Sequence, residues 1–326
     1  MSIDKSTSNF LSCDWGTSSF RLKLADSRCG EVLNCVTSSI GIKNITRNKA
    51  KGGWTSGTSN PFQNYLKSQI AFMEKRFSVN LDSVPIVISG MASSSIGWKE
   101  LSYGSLPFSL TEPDLPVRHI PSTNDFPYEV YLISGLSSSD DIMRGEETQV
   151  VGLAARYYIE EGLCLLPGTH CKHIQLENNA ITHFETYLTG ELFELLSTHS
   201  ILQNSVHAPK DQFNKDSFIE GVGKAKQSNL LHDLFSIRAR DLLQFSNPEK
   251  NYDFLSGLLI GSELRDLKEP SNGKIYLTGN ERLQIRYAKA LDFLDLDYQP
   301  ITPGTELTVH GHCMIYHKFK HKPRKT

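Results

Sequence analysis

Two short turns rich in glycine and threonine, each between predicted strands, constrain the fold of this chain more than any other feature. The first lies in DWGTSSFRL at 14–22 and the second in LPGTHCKHI at 166–174. Glycine lets the backbone approach an anion closely, and each backbone N–H of such a turn is a fixed donor to phosphate oxygens. Asp14 would repel a phosphate directly, but a Mg²⁺ ion between them would bind carboxylate and phosphate oxygens together. The first turn therefore predicts a metal–phosphate hairpin.

The repetition of the turn decides between two interpretations of DWGTSS. Taken alone, this segment also fits a solvated turn that its aspartate caps. The second hairpin favours the binding role, because a nucleotide whose phosphates lie between two similar lobes needs one such hairpin from each. The chain from residue 162 onward also repeats the strand, turn and strand character of the N-terminus, which indicates a weak internal duplication.

The length of the chain favours two domains. At 326 residues and 36.6 kDa it exceeds the size at which one hydrophobic core usually keeps growing. No run approaches the roughly 18 apolar residues of a spanning helix, and the start of the chain lacks an apolar stretch of signal-peptide length. The six cysteines show no CxxC pairing. We therefore expect a cytoplasmic protein without membrane contact, disulfides or a zinc site.

The charge pattern argues against nucleic acid as a partner. The formal net charge is −2, and apart from the basic tail at 317–326 no basic stripe with interleaved aromatic residues occurs. The expected partners are therefore small molecules. The oligomeric state stays open, with a homodimer as one option.

The order of predicted elements indicates an α/β protein. Alternating apolar and polar positions predict an antiparallel meander over residues 10–42, followed by a helix in TSNPFQNYLKSQIAFMEKRF and a strand in SVPIVISGM. GEETQVVGLAARYYI predicts a helix with two acidic residues in its first turn, where the helix dipole favours negative charge. Successive helices then precede a buried strand that runs into Gly-Asn at 279–280.

Six motifs, in order, resemble those of one kinase family. They are DWGTSSFRL, ISGMASSSIGW, IMRGEETQVVG, LPGTHCKHI, TGELFELLSTHSIL and FLSGLLIGSEL, and IYLTGNERLQIRYAKAL resembles an adenosine motif. The chain resembles the 2-dehydro-3-deoxygalactonokinase family of the actin, sugar-kinase and Hsp70 ATPase superfamily. The resemblance implies an α/β, two-lobed actin-like ATPase fold, ribonuclease H-like, with an interlobe cleft and with lobes at 1–145 and 146–326.

The same resemblance implies a reaction and a set of site residues. The reaction is phosphorylation of 2-dehydro-3-deoxy-galactonate to its 6-phosphate, with ATP and Mg²⁺. Asp14 would act in catalysis by holding the metal, and Glu146 or Glu147 would accept the proton of the acceptor hydroxyl. Arg144 would match the substrate carboxylate in fork geometry. The other expected substrate contacts are Gly90, Met91, Ser94 and Trp98, and the expected nucleotide contacts are Gly16, Thr17, Ser18, Arg21, Gly168, Thr169, His170, Lys172, Gly279 and Asn280.

Other interpretations of these segments stay open. The two glutamates, of which Glu146 is slightly preferred as the base, also fit a helix N-terminus without a catalytic role, and the Gly90 segment also fits a strand-to-helix turn capped by serine. A polyphosphate or nucleotide phosphohydrolase is the main alternative function, and a nucleotide-driven conformational protein is another. Gly304-Thr305-Glu306 replaces the usual Gly-Asp of the family, which leaves the last helix and any nucleotide contact it makes open.

Overall fold

The structure, a computed structural model, describes most of the chain. It covers residues 9–50, 60–209, 213–227, 229–244, 247–267, 270–301 and 304–321, so that residues 1–8 and the end of the basic tail lie outside the described residues. The chain divides into two compact units. Unit 1 comprises Met1–Glu160, Glu177–His183 and Gly304–Thr326, and unit 2 comprises Glu161–Leu176 and Phe184–Pro303. Within the described ranges, no helix has the length and apolar character needed to cross a bilayer.

The strands and helices are numbered in chain order. The strands are β1 (Asn9–Trp15), β2 (Phe20–Asp26), β3 (Val32–Ser38), β4 (Ile86–Gly90), β5 (Gly104–Ser105), β6 (Phe108–Ser109), β7 (Val117–Ile120), β8 (Val130–Ile133), β9 (Leu136–Ser137), β10 (Ile142–Met143), β11 (Gly162–Leu166), β12 (Cys171–Glu177), β13 (Ala180–Tyr187), β14 (Lys274–Leu277) and β15 (Tyr298–Pro300). The helices are α1 (Ile42–Ala50), α2 (Pro61–Phe77), α3 (Glu146–Tyr157), α4 (Thr189–His199), α5 (Lys215–Ala225), α6 (Leu230–Leu242), α7 (Pro248–Leu264), α8 (Glu281–Leu294) and α9 (Gly304–His321).

The two large sheets follow the same plan. The first has the order β3-β2-β1-β4-β8-β7, in which β1 to β3 form an antiparallel meander and β4 and β8 run parallel to β1. The second has the order β15-β14-β11-β12-β13-β6, in which β12 is antiparallel to β11 and β14 and β15 run parallel to it. A meander followed by parallel strands is the ribonuclease H-like arrangement of actin-like ATPases. The predicted fold class and the internal duplication are therefore confirmed.

Period-two alternation gives the β1–β2 hairpin one apolar and one polar face. The apolar face enters the core of unit 1 and consists of Leu11, Cys13, Trp15, Phe20, Leu22 and Leu24. On the polar face, Ser12 lies opposite Lys23 and Asp14 lies opposite Arg21. A strand that contributes to the core of this unit therefore also carries Asp14, near its C-terminal end.

Helices α3 and α9 pack together within unit 1 at two glycines. A Cβ added to Gly152 would collide with the carbonyl oxygen of Leu307, and one added to Gly311 would collide with that of Thr148. Glycine at both positions thus permits a backbone approach that no other residue allows. The last helix, which the sequence left open, is formed, and its His312 Nδ1 lies 2.8 Å from Ser12 Oγ on the polar face of the hairpin.

This packing makes the structural division differ from the lobe boundary expected after residue 145. Helices α3 and α9 were both expected in the C-terminal lobe, whereas both belong to unit 1. The contacts responsible join residues near the middle of the chain to residues near its end. Contacts between residues so far apart in the chain are not visible in the order of the predicted elements.

Glycine also brings two helices of unit 2 together. A Cβ added to Gly257 on α7 would collide with the carbonyl oxygen of Phe218 on α5, and one added to Gly221 would collide with that of Phe254. Helix α7 is buried along most of its length, as expected for a helix with neighbours on several sides. It therefore forms the centre of the helical part of this unit.

Candidate active site

The first hairpin presents Asp14 at the end of β1 and an exposed turn beyond it. Arg21 Nη1 donates to Asp14 Oδ2 at 2.8 Å from the opposite position on β2. A hydrogen bond of 2.9 Å from N–H to carbonyl closes the turn Gly16–Ser19, at which Thr17 and Ser18 are exposed. The residues predicted to hold metal and phosphate at the first hairpin therefore share one end of it.

Backbone N–H groups at the start of α1 bind the carbonyl oxygens of this turn. Ile42 N donates to the Gly16 carbonyl oxygen at 3.0 Å, and Lys43 N donates to that of Thr17 at 3.1 Å. A Cβ added to Gly41 would collide with the Thr17 carbonyl oxygen, so the helix reaches the turn because residue 41 is glycine. The sequence analysis predicted the turn but neither α1 nor the role of Gly41.

The second hairpin, in unit 2, is supported in the same way. Its turn connects β11 and β12, and Glu191 N near the start of α4 donates to the Thr169 carbonyl oxygen at 2.9 Å. A Cβ added to Gly190 would collide with the Gly168 carbonyl oxygen and lie 2.8 Å from Thr169 Cα. Each predicted phosphate hairpin therefore rests on a helix start that has a glycine at the contact.

His170 and Lys172 of the second hairpin have different surroundings. The His170 imidazole is half-exposed and contacts the Glu191 carboxylate. Lys172 is buried, and its ammonium donates to the Thr186 hydroxyl on β13. The structure thus places His170 beside the turn, whereas it holds the Lys172 side chain within the sheet.

Gly279 and Asn280 follow β14 and lie next to the second hairpin. Gly279 has a φ of 126°, and a Cβ added there would lie 3.4 Å from the Pro167 carbonyl oxygen. Asn280 Oδ1 accepts from Leu283 N at 3.0 Å and caps α8. The glycine predicted to contact adenosine is therefore brought to the second turn, while the Asn280 side chain is engaged as a helix cap.

Three backbone segments of unit 1 meet at the first hairpin. Gly90, the last residue of β4, pairs with Trp15, and a Cβ added to it would lie 2.7 Å from the Trp15 carbonyl oxygen. Gly145 precedes α3, and a Cβ added to it would lie 3.4 Å from Gly90 Cα. Both glycines have positive φ, 89° and 111°, which other residues rarely adopt. The strand that carries Asp14 therefore ends close to the helix that begins with Glu146.

The residues after Gly90 form a tight turn with its own internal contacts. Ser94 Oγ donates to the Met91 carbonyl oxygen at 2.7 Å. The Trp98 ring packs edge-on against Phe126, with 6.0 Å between the ring centroids. Ser94 is buried, whereas Met91 and Trp98 are half-buried. Of the predicted substrate contacts in this segment, Met91 and Trp98 thus retain some exposed surface.

Arg144 reaches back to the same turn. Its Nη1 donates to the carbonyl oxygen and to the hydroxyl of Ser93, at 2.6 Å each, and its guanidinium carbon lies 4.2 Å from the centroid of the Tyr103 ring. Its Nε is buried and has no hydrogen-bond partner among the described residues. The guanidinium therefore ties the residue before Gly145 to the turn after Gly90.

The two glutamates at the start of α3 differ in accessibility. Glu146 is half-buried, and its Oε2 accepts from Arg144 N at 3.0 Å. Glu147 is fully buried and accepts from Gly145 N at 2.7 Å and from Thr148 Oγ1 at 2.9 Å. Burial, and secondarily the charge of Glu146, raises the pKa of Glu147 to about 7. Of the pair, Glu146 is therefore the one whose carboxylate a substrate can reach in this conformation.

Lys23 is a residue of this region that the sequence analysis missed. Asp14, Arg21, Lys23 and Thr308 lie around a small recess on the polar face of the hairpin. Burial lowers the pKa of Lys23, against the opposing effect of neighbours that include Glu306 and Asp14. The signal that identifies Lys23 is its spacing of two residues from Arg21 on β2, which places both on the same face as Asp14.

The sequence profile of one kinase family matches nearly the whole chain. This family, described as 2-keto-3-deoxy-galactonokinase, matches residues 14–315, a range that contains both hairpin turns, the start of α3 and Gly279. The chain belongs to this family. Membership in the 2-keto-3-deoxy-galactonokinase family implies the use of ATP as phosphoryl donor.

Individual relatives agree with the family match. A Rhizobium meliloti (strain 1021) protein named as a probable 2-dehydro-3-deoxygalactonokinase is 32% identical over 302 residues, which cover 90% of this chain and 92% of the relative. The Escherichia coli (strain K12) 2-dehydro-3-deoxygalactonokinase is 32% identical over 231 residues, which cover 69% of this chain and 76% of that enzyme. A crystal structure from Sinorhizobium meliloti with the same provisional kinase name has a TM-score of 0.80 and 29% identity, and the match covers 97% of this chain and 98% of that one.

Proposed function

We propose that this protein transfers the γ-phosphoryl group of ATP to the terminal hydroxyl of 2-dehydro-3-deoxy-galactonate and so forms the 6-phosphate. The kinase family and the names of the relatives support this substrate and reaction. The observation that carries the proposal is the contact of Gly90 with Trp15 and with Gly145, because it brings the Asp14 hairpin close to the Glu146 helix start. The backbone segments that carry Asp14 and Glu146 thereby lie near each other within unit 1, which supports a site at this place.

The turns of the two hairpins are the proposed phosphate contacts. Thr17 and Ser18 are exposed at the first turn, and Thr169 is exposed at the second. Backbone N–H groups at the starts of α1 and α4 bind carbonyl groups of these turns, so each turn keeps its shape before the nucleotide binds. A preorganised set of donors loses little conformational entropy on binding, which favours affinity. Gly279, beside the second turn, is the proposed contact for adenosine.

Glu146 is the proposed general base. As the acceptor oxygen bonds to the γ-phosphorus, the bond from that phosphorus to the leaving oxygen of ADP breaks, and the hydroxyl proton passes to the Glu146 carboxylate. The bond from Arg144 N orients this carboxylate while the side chain stays partly exposed. Glu147, which is buried, instead accepts from Gly145 N and fixes the start of α3.

Asp14 fits the role of a ligand for Mg²⁺. Its carboxylate is partly exposed, and Arg21 orients Oδ2. Within the described part of the chain there is no group of three or more His, Cys, Asp or Glu that could hold a metal ion. A single aspartate is compatible with Mg²⁺, because this ion usually keeps several waters and binds one or two carboxylates together with substrate phosphates. When bound, the ion would offset the negative charge of the phosphates.

Arg144 is the proposed partner of the sugar-acid carboxylate. The two contacts with Ser93 use Nη1, and Nη2 donates to the Leu101 carbonyl oxygen at 3.4 Å, so a carboxylate that binds side-on to the edge formed by Nε and Nη2 would have to replace the Leu101 contact. The Nε atom on this edge is buried in the structure. Binding of the acid through Arg144 therefore requires a local rearrangement around this edge.

Turnover on a panel of acceptors tests the proposal. Purified protein is incubated with ATP, Mg²⁺ and either 2-keto-3-deoxy acids or plain sugars, and ADP release is measured. We expect ADP release to depend on 2-dehydro-3-deoxy-galactonate, with the product identified as the 6-phosphate by phosphorus NMR. Acceptor-independent phosphate release from ATP or polyphosphate, without a phosphorylated acid, would refute the kinase proposal in favour of a phosphohydrolase.

A matched pair of variants tests the base. Glu146→Gln should lower kcat by about a hundredfold or more and leave the KM values largely unchanged, because it removes proton acceptance but keeps size and polarity. Glu160→Gln, which changes an exposed glutamate just beyond α3, should retain wild-type kinetics. Unchanged kcat in Glu146→Gln would exclude this residue as the base.

A further inference from the structure

Unit 2 contains a buried carboxylate for which the proposed chemistry has no use. Glu263 lies on α7, and its side chain is 2% exposed. Its Oε1 lies 2.9 Å from His173 Nε2, and its Oε2 accepts from the Tyr287 hydroxyl at 2.6 Å and from the Thr189 hydroxyl. One carboxylate therefore binds side chains from three other elements, β12, α8 and α4.

Two of these partners are joined directly to the second hairpin. Thr189 is the first residue of α4 and precedes Gly190, whose α-carbon packs against the Gly168 carbonyl group of the turn. The Tyr287 hydroxyl lies 2.9 Å from Cys171 Sγ, and Cys171 is the first residue of β12 after the turn. The carboxylate thus connects to the turn from the side of α4 and from the side of β12.

Tyr287 also extends the connection to the proposed adenosine contact. It lies on α8, the helix that Asn280 caps and that follows Gly279. The Glu263 carboxylate therefore links the elements that carry the turn of the second hairpin and the glycine beside it. All of these residues belong to unit 2.

The chemistry of a buried carboxylate makes this link specific. A charge removed from water is tolerated when hydrogen bonds and opposite charges replace the lost solvation. Each donor that contacts Glu263 therefore has one favoured position, and displacement of any donor leaves the carboxylate poorly solvated. An apolar contact at the same place would be non-directional and would allow the helix start to shift.

We infer that Glu263 is a positioning residue for the nucleotide, which acts by holding Thr189 and thereby the start of α4 on which the second hairpin rests. The inference rests on the proposed function, because it concerns the hairpin assigned to the phosphates of ATP. The motifs TGELFELLSTHSIL and FLSGLLIGSEL contribute Thr189 and Glu263, respectively, and neither residue takes part in the proposed chemistry. The two motifs contact each other through the hydrogen bond from Thr189 to Glu263, next to the residue that packs against the turn.

Two substitutions of Thr189 test this inference with little change in volume. Thr189→Val removes the hydroxyl that donates to Glu263, whereas Thr189→Ser keeps it. We expect Thr189→Val to raise the dissociation constant of a fluorescent ATP analogue and the KM for ATP by about fivefold, the factor that corresponds to the loss of one ordinary hydrogen bond. Thr189→Ser should restore both values, and the KM for the sugar acid should stay unchanged in both variants.

Asp253→Asn separates positioning from a general loss of stability. Asp253 is also fully buried on α7, and it binds Arg286 on α8 at 2.6 Å and Asn214 N at 2.6 Å. This substitution therefore disturbs a buried ion pair between α7 and α8, the helices that also carry Glu263 and Tyr287, at residues that do not include the start of α4. We expect it to lower the midpoint of urea unfolding while nucleotide affinity stays at the wild-type value.

The outcomes distinguish this inference from the proposed function. Wild-type nucleotide affinity in Thr189→Val, or an equal loss of affinity in Thr189→Ser or Asp253→Asn, would overturn the positioning role and leave the kinase reaction untouched. Conversely, protein that binds the ATP analogue but phosphorylates no sugar acid would overturn the proposed function. The comparison of the Thr189 variants would remain valid in that case, because it measures binding of the ATP analogue and does not depend on turnover.

Discussion

The buried carboxyl group of Glu147 should make the stability of the protein depend on pH in a way that one substitution abolishes. Its pKa is raised from 4.5 to about 7, mainly by burial. Between these two values the folded state holds a proton that the unfolded state has released. The free energy of unfolding therefore falls as pH rises through this window, and the loss is complete above pH 7.

The magnitude follows from the size of the shift. One pKa unit corresponds to about 1.4 kcal/mol, so ionisation of Glu147 should cost about 3 kcal/mol once the pH exceeds both pKa values. Glu147→Gln imitates the protonated form, because glutamine is neutral and keeps an oxygen that can accept from Gly145 N. The variant should therefore gain about 2 to 3 kcal/mol relative to wild type between roughly pH 5 and pH 8.

Urea unfolding at several pH values measures this difference. Tryptophan fluorescence reports on the correct unit, since Trp15 and Trp98 belong to unit 1 together with Glu147. Other titrating groups cancel in the comparison of variant with wild type, and Glu160→Gln controls for the loss of an exposed charge with an expected change within about 0.5 kcal/mol. A difference between Glu147→Gln and wild type that does not vary with pH would refute the reasoning.

Three further predictions concern the hairpins and the proposed substrate contacts. Gly190→Ala should raise the KM for ATP in steady-state kinetics, because its Cβ would displace the Gly168 carbonyl group. Gly223→Ala is the control and should leave this KM unchanged, because its Cβ would meet only the tip of the Phe293 ring, at 3.2 Å. Arg144→Lys should raise the KM for the sugar acid on the order of tenfold or more without a matching change for ATP, because lysine keeps the charge but not the fork, and equal losses for both substrates would contradict this role. Asp14→Asn should keep its circular dichroism spectrum and lose most turnover, with a raised Mg²⁺ requirement in a metal titration; an unchanged requirement would make Asp14 a turn residue only.

The parts of the site that could be predicted from the sequence are those defined by local backbone chemistry. Both hairpin turns could be predicted because Gly-Thr between apolar strands specifies a turn within a few residues. The start of α3 could be predicted from two acidic residues that follow Gly145, where the helix dipole favours them. The supporting glycines at 41 and 190 could not be predicted, because their function depends on a collision with a turn far away in sequence.

The partners of individual side chains in the site were harder to predict from the sequence than the turns. Lys172 was expected at phosphate oxygens because it follows the second turn, but the structure pairs it with Thr186 on the neighbouring strand. Asn280 was expected at the nucleotide, and its side chain caps α8. Strand pairing determines the partner of Lys172, and helix capping determines that of Asn280. Lysine and asparagine can each serve a structural contact or a ligand contact, so the residue type alone does not distinguish the two roles.

The last helix shows how a departure from the family pattern is accommodated. Ser12 Oγ on the polar face of the first hairpin contacts His312 Nδ1 at 2.8 Å, and burial lowers the pKa of His312 to about 3. The imidazole is therefore neutral at physiological pH and packs over the hairpin without introducing a buried charge. The packing of α3 on α9 at Gly152 and Gly311 requires that α9 be formed, and it does not involve the first three residues of α9. Of the three residues at 304–306, Glu306 acts on Lys23, which lies beside Asp14: its charge raises the pKa of Lys23, against the larger lowering effect of burial.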